Sequence, residues 1–174
     1  MQVKISPSNC SGSVKIPPSK SMAHRSIICA SLANGKSIIR NVAYSQDIQT
    51  TIEGMRKLGA KIEMKEDYVI VEGIKNFSSL QSQEIFCCES GSTLRFFIPI
   101  FSLCNKPITF TGQGRLMDRP QKVYEEVFHS QGLSFIQDSK GITIHESIKP
   151  GEFTIKGDVS SQFISGLLFS LPLL

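Results

Sequence analysis

The chain has 174 residues, 40% of them apolar and 20% charged, with 19 Lys and Arg against 15 Asp and Glu for a formal charge of +4. That balance excludes a disordered tail, and it lacks the basic density of a dedicated nucleic-acid binder. It leaves room for one domain with a sizeable core and is compatible with anionic ligands.

The N-terminal Met-Gln-Val-Lys-Ile-Ser-Pro carries no apolar stretch of the signal-peptide kind. The longest uncharged run, Val159 to Leu174, contains four Ser, a Gln and a Pro and is too short to span a bilayer. Five cysteines (Cys10, Cys29, Cys87, Cys88, Cys104) form no Cys-x-x-Cys pair, and the three histidines are scattered. A soluble protein of a reducing, cytoplasmic compartment is expected, without a disulfide framework or a structural zinc site.

In chain order, a Ser-rich turn opens an apolar helix over 21–33, followed by a strand over 36–40. An amphipathic helix over 47–58 comes next, and then two strands, 60–64 and 68–72, joined by a polar turn. An entry strand from Glu84 to Cys88 introduces the same order again: helix 92–104, strand 106–111, helix 119–131 with Pro120 in its first turn, strands 133–137 and 141–145. Sliding Ser19 onto Glu89 lays Arg25 on Arg95, Ile28 on Ile98 and Ile38 on Ile108. Sliding Lys57 onto Ser130 lays Ile62 on Phe135. A third unit opens with a strand at 153–157 and a helix starting at Ser160-Ser161-Gln162, inside which the chain stops. The sequence therefore reads as two complete units and part of a third, a fragment of something longer.

The first helix of each unit is apolar almost all round, which predicts burial on every side. Its N-terminal turn then becomes the informative part. Free backbone N–H groups and the positive end of the helix dipole attract anions. At the first such end, Ser21 and Arg25 stand four apart on one helix face, with Lys20 at the mouth. Glu89-Ser90-Gly91-Ser92-Thr93-Leu94-Arg95 is the second end, and its plain alternative is a capping turn with Arg95 paired to Glu89. In Gly112-Gln113-Gly114-Arg115-Leu116-Met117-Asp118-Arg119-Pro120, Arg115 and Arg119 bracket a helix start. Ser160-Ser161-Gln162 is the fourth. Any one of these could be an ordinary capped helix with solvated charges. Four of them related by a repeat imply a polar cleft for a ligand with more than one negative charge.

Pro18-Ser19-Lys20-Ser21-x-x-x-Arg25, Ser45-Gln46-Asp47-Ile48, Ser90-Gly91-Ser92-Thr93-x-Arg95, Asp118-Arg119-Pro120 and Ser160-Ser161-Gln162-Phe163 follow one another along the chain. In that order and spacing they resemble the opening portion, under half, of the 5-enolpyruvylshikimate-3-phosphate synthase family. The resemblance implies a mixed α/β (α+β) fold: repeated βαβαββ units, strands outside and helices within, forming an inside-out α/β barrel domain that is incomplete here. Residues 1–15, including Val3-Lys4-Ile5, would join the sheet of a second domain, and 16–174 would form the first.

It also implies transfer of the enolpyruvyl group of phosphoenolpyruvate to the 5-hydroxyl of shikimate 3-phosphate, with release of phosphate. By motif, Lys20 would sit close to both substrates and Ser21 and Arg25 would hold shikimate 3-phosphate. Gly91 and Arg119 would bind phosphoenolpyruvate, Ser160 and Ser161 the shikimate phosphate, and Gln162 would reach toward both. Asp47, Arg95 and Arg115 would support the loops. Glu89 stands where other members often carry Asn and needs a cationic partner, for which Arg95 is the nearest candidate. The resemblance implies no metal or organic cofactor, no nucleic-acid or membrane partner, and a monomer. The family's acid–base carboxylates would lie outside these residues. The sister UDP-N-acetylglucosamine 1-carboxyvinyltransferase is disfavoured, because its opening reads Lys-Asn where this chain has Lys20-Ser21. A non-catalytic phosphate-ligand-binding fragment is the alternative from another class.

Overall fold

The computed structural model describes every residue except Met1, Ile5, Ser8 and Cys10, so the expectations for Ile5 and Cys10 lie outside the described residues. The described residues before Lys20 form neither helix nor strand.

The first unit comprises α1 (Lys20–Leu32), β1 (Lys36–Arg40), α2 (Gln46–Leu58), β2 (Lys61–Met64) and β3 (Tyr68–Glu72). The second comprises β4 (Glu84–Phe86), α3 (Gly91–Ser102), β5 (Ile108–Thr111), α4 (Lys122–Ser130), β6 (Phe135–Gln137) and β7 (Ile142–Ile144), and it is followed by α5 (Ser161–Ser170). Helices α1, α2, α3 and α5 are each opened by a serine cap, whereas Gln121 before α4 makes no side-chain cap. Ser19, Ser45, Ser90 and Ser160 accept from Met22 N, Ile48 N, Thr93 N and Gln162 N respectively.

Each unit folds its last three strands the same way. Strands order as β1-β3-β2 in one sheet and β4-β5-β7-β6 in the other, antiparallel throughout except for the parallel β4–β5 pair. The rung Ser37–Val71–Ile62 in the first sheet corresponds to Ile108–Ile144–Phe135 in the second. Ile62 therefore does match Phe135, but Ser37, not Ile38, stands where Ile108 stands. The caps Ser19 and Ser90 are 71 residues apart, as are Ser37 and Ile108, so helix and strand together match at 71 rather than 70, and a slip of one residue reverses the face of a strand. Ile38 is consequently 53% exposed, while Ile108 is fully buried.

Among the described residues the two sheets share no ladder and no closed barrel is seen. Three other expectations are corrected. Residues 153–157 are not a strand. The equivalent β4 is held by β5, the strand that follows α3, and no strand follows α5 among the described residues to play that part. Helix α4 begins at Lys122 rather than 119, because 113–119 runs as a chain of turns, and Pro120 precedes the helix instead of entering its first turn. Finally, only α3 is buried nearly all round. Helix α1 leaves Met22 and Cys29 exposed.

Burial of α3 organises the core. Phe96, Phe97, Ile98, Ile100 and Phe101 are all inaccessible, with Phe101 edge-on to Phe110 of β5. Helix α5 lies against α3 through Gly166. A Cβ there would come within 2.6 Å of Arg95 O and collide with the Tyr124 hydroxyl, so only glycine admits this approach. Tyr124 of α4 closes the arrangement by donating to Arg95 O at 2.6 Å, with its ring edge-on to Phe163. Fully burying side chains of this size contributes about 1.5–3 kcal/mol each. The N-terminal turns of α1, α3 and α5 are thus carried on rigid, packed helices.

Candidate anion site at three helix N-termini

Side chains tie the three N-terminal turns together. On α1, Lys20 Nζ donates to Asp47 Oδ2 on α2 at 2.7 Å, and Lys20 remains half exposed. Arg25 donates from Nη1 to Ser21 O at 3.0 Å and from Nη2 to Ser165 Oγ on α5 at 3.1 Å, while its guanidinium lies 5.1 Å from the centre of the Phe96 ring on α3. Arg25 lies six residues past the Ser19 cap and Ser165 five past the Ser160 cap, so this contact joins the second turns of α1 and α5.

Between α3 and α5, Arg95 Nη1 donates to Gln162 Oε1 at 2.8 Å. The same amide donates onward from Nε2 to Ser92 Oγ at 2.7 Å. The Arg95 guanidinium stacks 4.8 Å above the Phe163 ring, and its Nε is buried without a partner. Burial, and secondarily the positive charge of Arg119, hold the Arg95 pKa below that of a free guanidinium, although it stays charged.

Arg119 itself is exposed, and its Nη1 lies where a Cβ on Gly91 would be 2.9 Å away. Glycine at that position lets a guanidinium rest on the first turn of α3. The loop carrying Arg119 is fixed at both ends. Gln113 N donates to Cys88 O, and Gln137 Nε2 donates to the carbonyls of Met117 and Arg119.

Glu89 does not pair with Arg95. Arg95 is on the second turn of α3, facing α5, whereas Glu89 precedes the cap and its carboxylate lies against Gly114, where any side chain would collide with it. Arg115 and Asp118 form an exposed pair at 3.8 Å on the loop rim, apart from the other candidates. Ser160 caps α5, and Ser161, which begins it, is exposed. Lys20, Ser21, Arg25, Gly91, Arg95, Arg119, Ser160, Ser161 and Gln162 therefore occupy one connected region, with Asp47 bound into it and Arg115 outside.

A buried polar chain lies directly beneath, joining two residues that sequence reasoning missed, His24 and Thr51, to Ser90 and Thr93 of the second helix end. His24, Thr51, Ser90 and Thr93 are all buried polar groups on otherwise apolar faces. His24 Nδ1 is 2.8 Å from Thr51 Oγ1, Thr51 Oγ1 is 2.8 Å from Thr93 Oγ1, and Thr93 Oγ1 donates to Ser90 Oγ at 2.8 Å. Burial lowers the His24 pKa to about 4, with Asp47 opposing the shift and Lys20 and Arg25 adding to it, so the ring is neutral at pH 7. The signal was available: single polar residues one turn below Lys20 and Asp47, at the same spacing on each helix.

Chemically, the region offers cationic forks, hydroxyls and helix N-terminal N–H groups, all suited to phosphate or carboxylate. Cys87 and Cys104 carry thiols whose pKa values burial raises, to about 11 for Cys104, which leaves them unsuited as nucleophiles. Cys29, Cys87, Cys88 and Cys104 are free. Among the described residues no cluster of His, Cys, Asp and Glu could hold a metal, and no helix is long and apolar enough to cross a membrane.

A mixed α/β protein with repeated units and a basic, phosphate-type site at converging helix ends is the class so defined. The family model for EPSP synthase (3-phosphoshikimate 1-carboxyvinyltransferase) matches residues 5–174, and the chain belongs to that family. It is 50% identical over 175 residues to the 3-phosphoshikimate 1-carboxyvinyltransferase of Clostridium perfringens strain SM101, covering 99% of this chain and 41% of that protein. It is 48% identical to the enzyme of that name from Clostridioides difficile strain 630, covering 99% and 42%. The chain thus spans about two-fifths of the length of these curated relatives. The solved EPSP synthase from Acinetobacter baumannii superposes with a TM-score of 0.77 at 23% identity, over 91% of this chain and 38% of that one, which shows the shared fold.

Proposed function

We propose that this chain supplies part of the substrate site for transfer of the carboxyvinyl group of phosphoenolpyruvate to the 5-hydroxyl of shikimate 3-phosphate, releasing phosphate, in aromatic amino-acid and chorismate biosynthesis. The single observation that carries the reading is the bonding of three helix N-terminal turns into one cationic region, within a chain of the EPSP synthase family.

In this reading Ser21 and Arg25 hold shikimate 3-phosphate from α1, and Ser160 and Ser161 hold its phosphate from α5. Gly91 and Arg119 bind phosphoenolpyruvate, the latter through its bidentate fork. Lys20 lies between the two substrates and Gln162 reaches toward both. Asp47 orients Lys20, Arg95 orients Gln162, and Arg115 supports the loop from the rim. Protonation of the phosphoenolpyruvate methylene makes C2 electrophilic. The 5-hydroxyl adds there and loses its proton, and elimination of phosphate restores the double bond. Cationic groups offset the crowded anions, the acid and base come from the part of the enzyme outside these residues, and the whole enzyme works as a monomer without a cofactor. Residues 1–15 belong to the sheet of a second domain and 16–174 to the first.

Titration of the isotope-labelled chain with shikimate 3-phosphate should shift resonances of Ser21, Arg25, Ser160 and Ser161, while a turnover assay on the chain alone yields no product. Shifts with UDP-N-acetylglucosamine in place of shikimate 3-phosphate would reject the substrate, and turnover by the chain alone would reject the division of labour.

A further inference from the structure

The buried chain beneath the site has a direction. Thr93 spends its one hydroxyl proton on Ser90 Oγ. Thr51 must then donate to Thr93, and its own oxygen is left to accept from His24. His24 therefore carries its proton on Nδ1, which leaves a bare lone pair on Nε2, and Nε2 is indeed the buried ring atom without a partner. The ring is fixed besides by Phe96, edge-on with centroids 6.4 Å apart.

These contacts form the lower of two rungs. Lys20–Asp47 joins the first turns of α1 and α2 at the surface, and His24–Thr51 joins the same helices one turn deeper. Only the lower rung continues, through Thr93, to Ser90, which caps α3. We propose that His24, held as the Nδ1–H tautomer, is a positioning residue. Through Thr51 and Thr93 it sets the first turn of α1 against the first turn of α3, and with them the spacing from Lys20 and Arg25 to Gly91 and Arg119. The effect on ligand spacing rests on the substrate reading above; the tie between the helices rests on the hydrogen bonds alone.

The chain labelled in its histidine rings gives the first test, because a one-bond proton–nitrogen correlation must appear on Nδ1 of His24. A proton on Nε2 overturns the assignment. His24→Leu, which keeps bulk and removes the donor, should speed amide exchange in both first turns, Ser21–His24 and Gly91–Thr93. It should also weaken shikimate 3-phosphate binding about tenfold. His24→Asn places an amide donor at the δ position and should restore both to near wild type. Should His24→Leu not fold, Thr51→Val cuts the same chain in the middle, with Thr51→Ser as its rescue. Wild-type exchange in both turns of the cut variants, or failure of Asn and Ser to rescue, overturns the proposal. If the wild-type chain binds no shikimate 3-phosphate, the substrate reading falls, while the exchange comparison still decides the tie.

Discussion

The mouth of α1 and the joint mouth of α3 and α5 solve their electrostatics differently. At α1, Lys20 already has the carboxylate of Asp47 at 2.7 Å. Between α3 and α5, Arg95 and Arg119 have no carboxylate in contact among the described residues; the partners of Arg95 are the neutral Gln162 and the Phe163 ring. An anion at the first mouth must share its cation with Asp47. An anion at the second relieves the repulsion between two guanidiniums, one of them half buried. The second mouth is therefore the stronger draw for a small dianion, and the first suits a ligand held by several weaker polar contacts.

Breaking the buried support under the first mouth should have the largest effect. The His24 pKa is depressed to about 4 from 6.5, so the folded state binds fewer protons than the unfolded chain. Its contribution is complete above pH 6.5 and is lost as pH falls toward 4, a change of roughly 3 kcal/mol. Urea unfolding at stepped pH values should show that slope, and His24→Asn should flatten it.

Next comes the tie at the second mouth. Gln162→Ala removes the partner of Arg95 and of Ser92 together, and a loss of about 2 kcal/mol is expected in the same denaturation assay. At the first mouth Asp47→Asn should cost under about 1 kcal/mol, since Lys20 is half exposed. The freed ammonium should bind phosphoenolpyruvate more tightly by calorimetry, and an unchanged affinity would remove the contrast between the mouths. Arg115→Ala, on the solvent-exposed rim, should leave the thermal midpoint where it was.

Much of the fold was legible because the hydrophobic periods and the serine caps agree with the tertiary structure. The ends of β1 and β3 fall where the pattern puts them, and the Ser-rich turns do open helices, through caps at Ser19, Ser90 and Ser160. What failed depended on partners distant in sequence. The Phe153–Gly157 stretch has strand composition but no strand to pair with among the described residues, and the one-residue offset at Ile38 arises because the units match at 71 rather than 70, as the caps Ser19 and Ser90 show. In the site, residue types pointed correctly to converging helix ends. The pairing of Arg95 with Gln162 rather than Glu89 was not readable, because it depends on α5 packing against α3 at Gly166. His24 and Thr51 escaped notice since each alone resembles an isolated polar residue in a helix.

The central claim is that Arg25 at the first mouth and Arg119 at the second serve different substrates. It is tested most directly by a crossed titration of Arg25→Ala and Arg119→Ala with shikimate 3-phosphate and phosphoenolpyruvate, followed by calorimetry. Arg25→Ala should lose shikimate 3-phosphate while keeping phosphoenolpyruvate, and Arg119→Ala should do the reverse, each loss being about tenfold or more. Equal weakening of both ligands by both variants would show one undivided anion site and contradict the account.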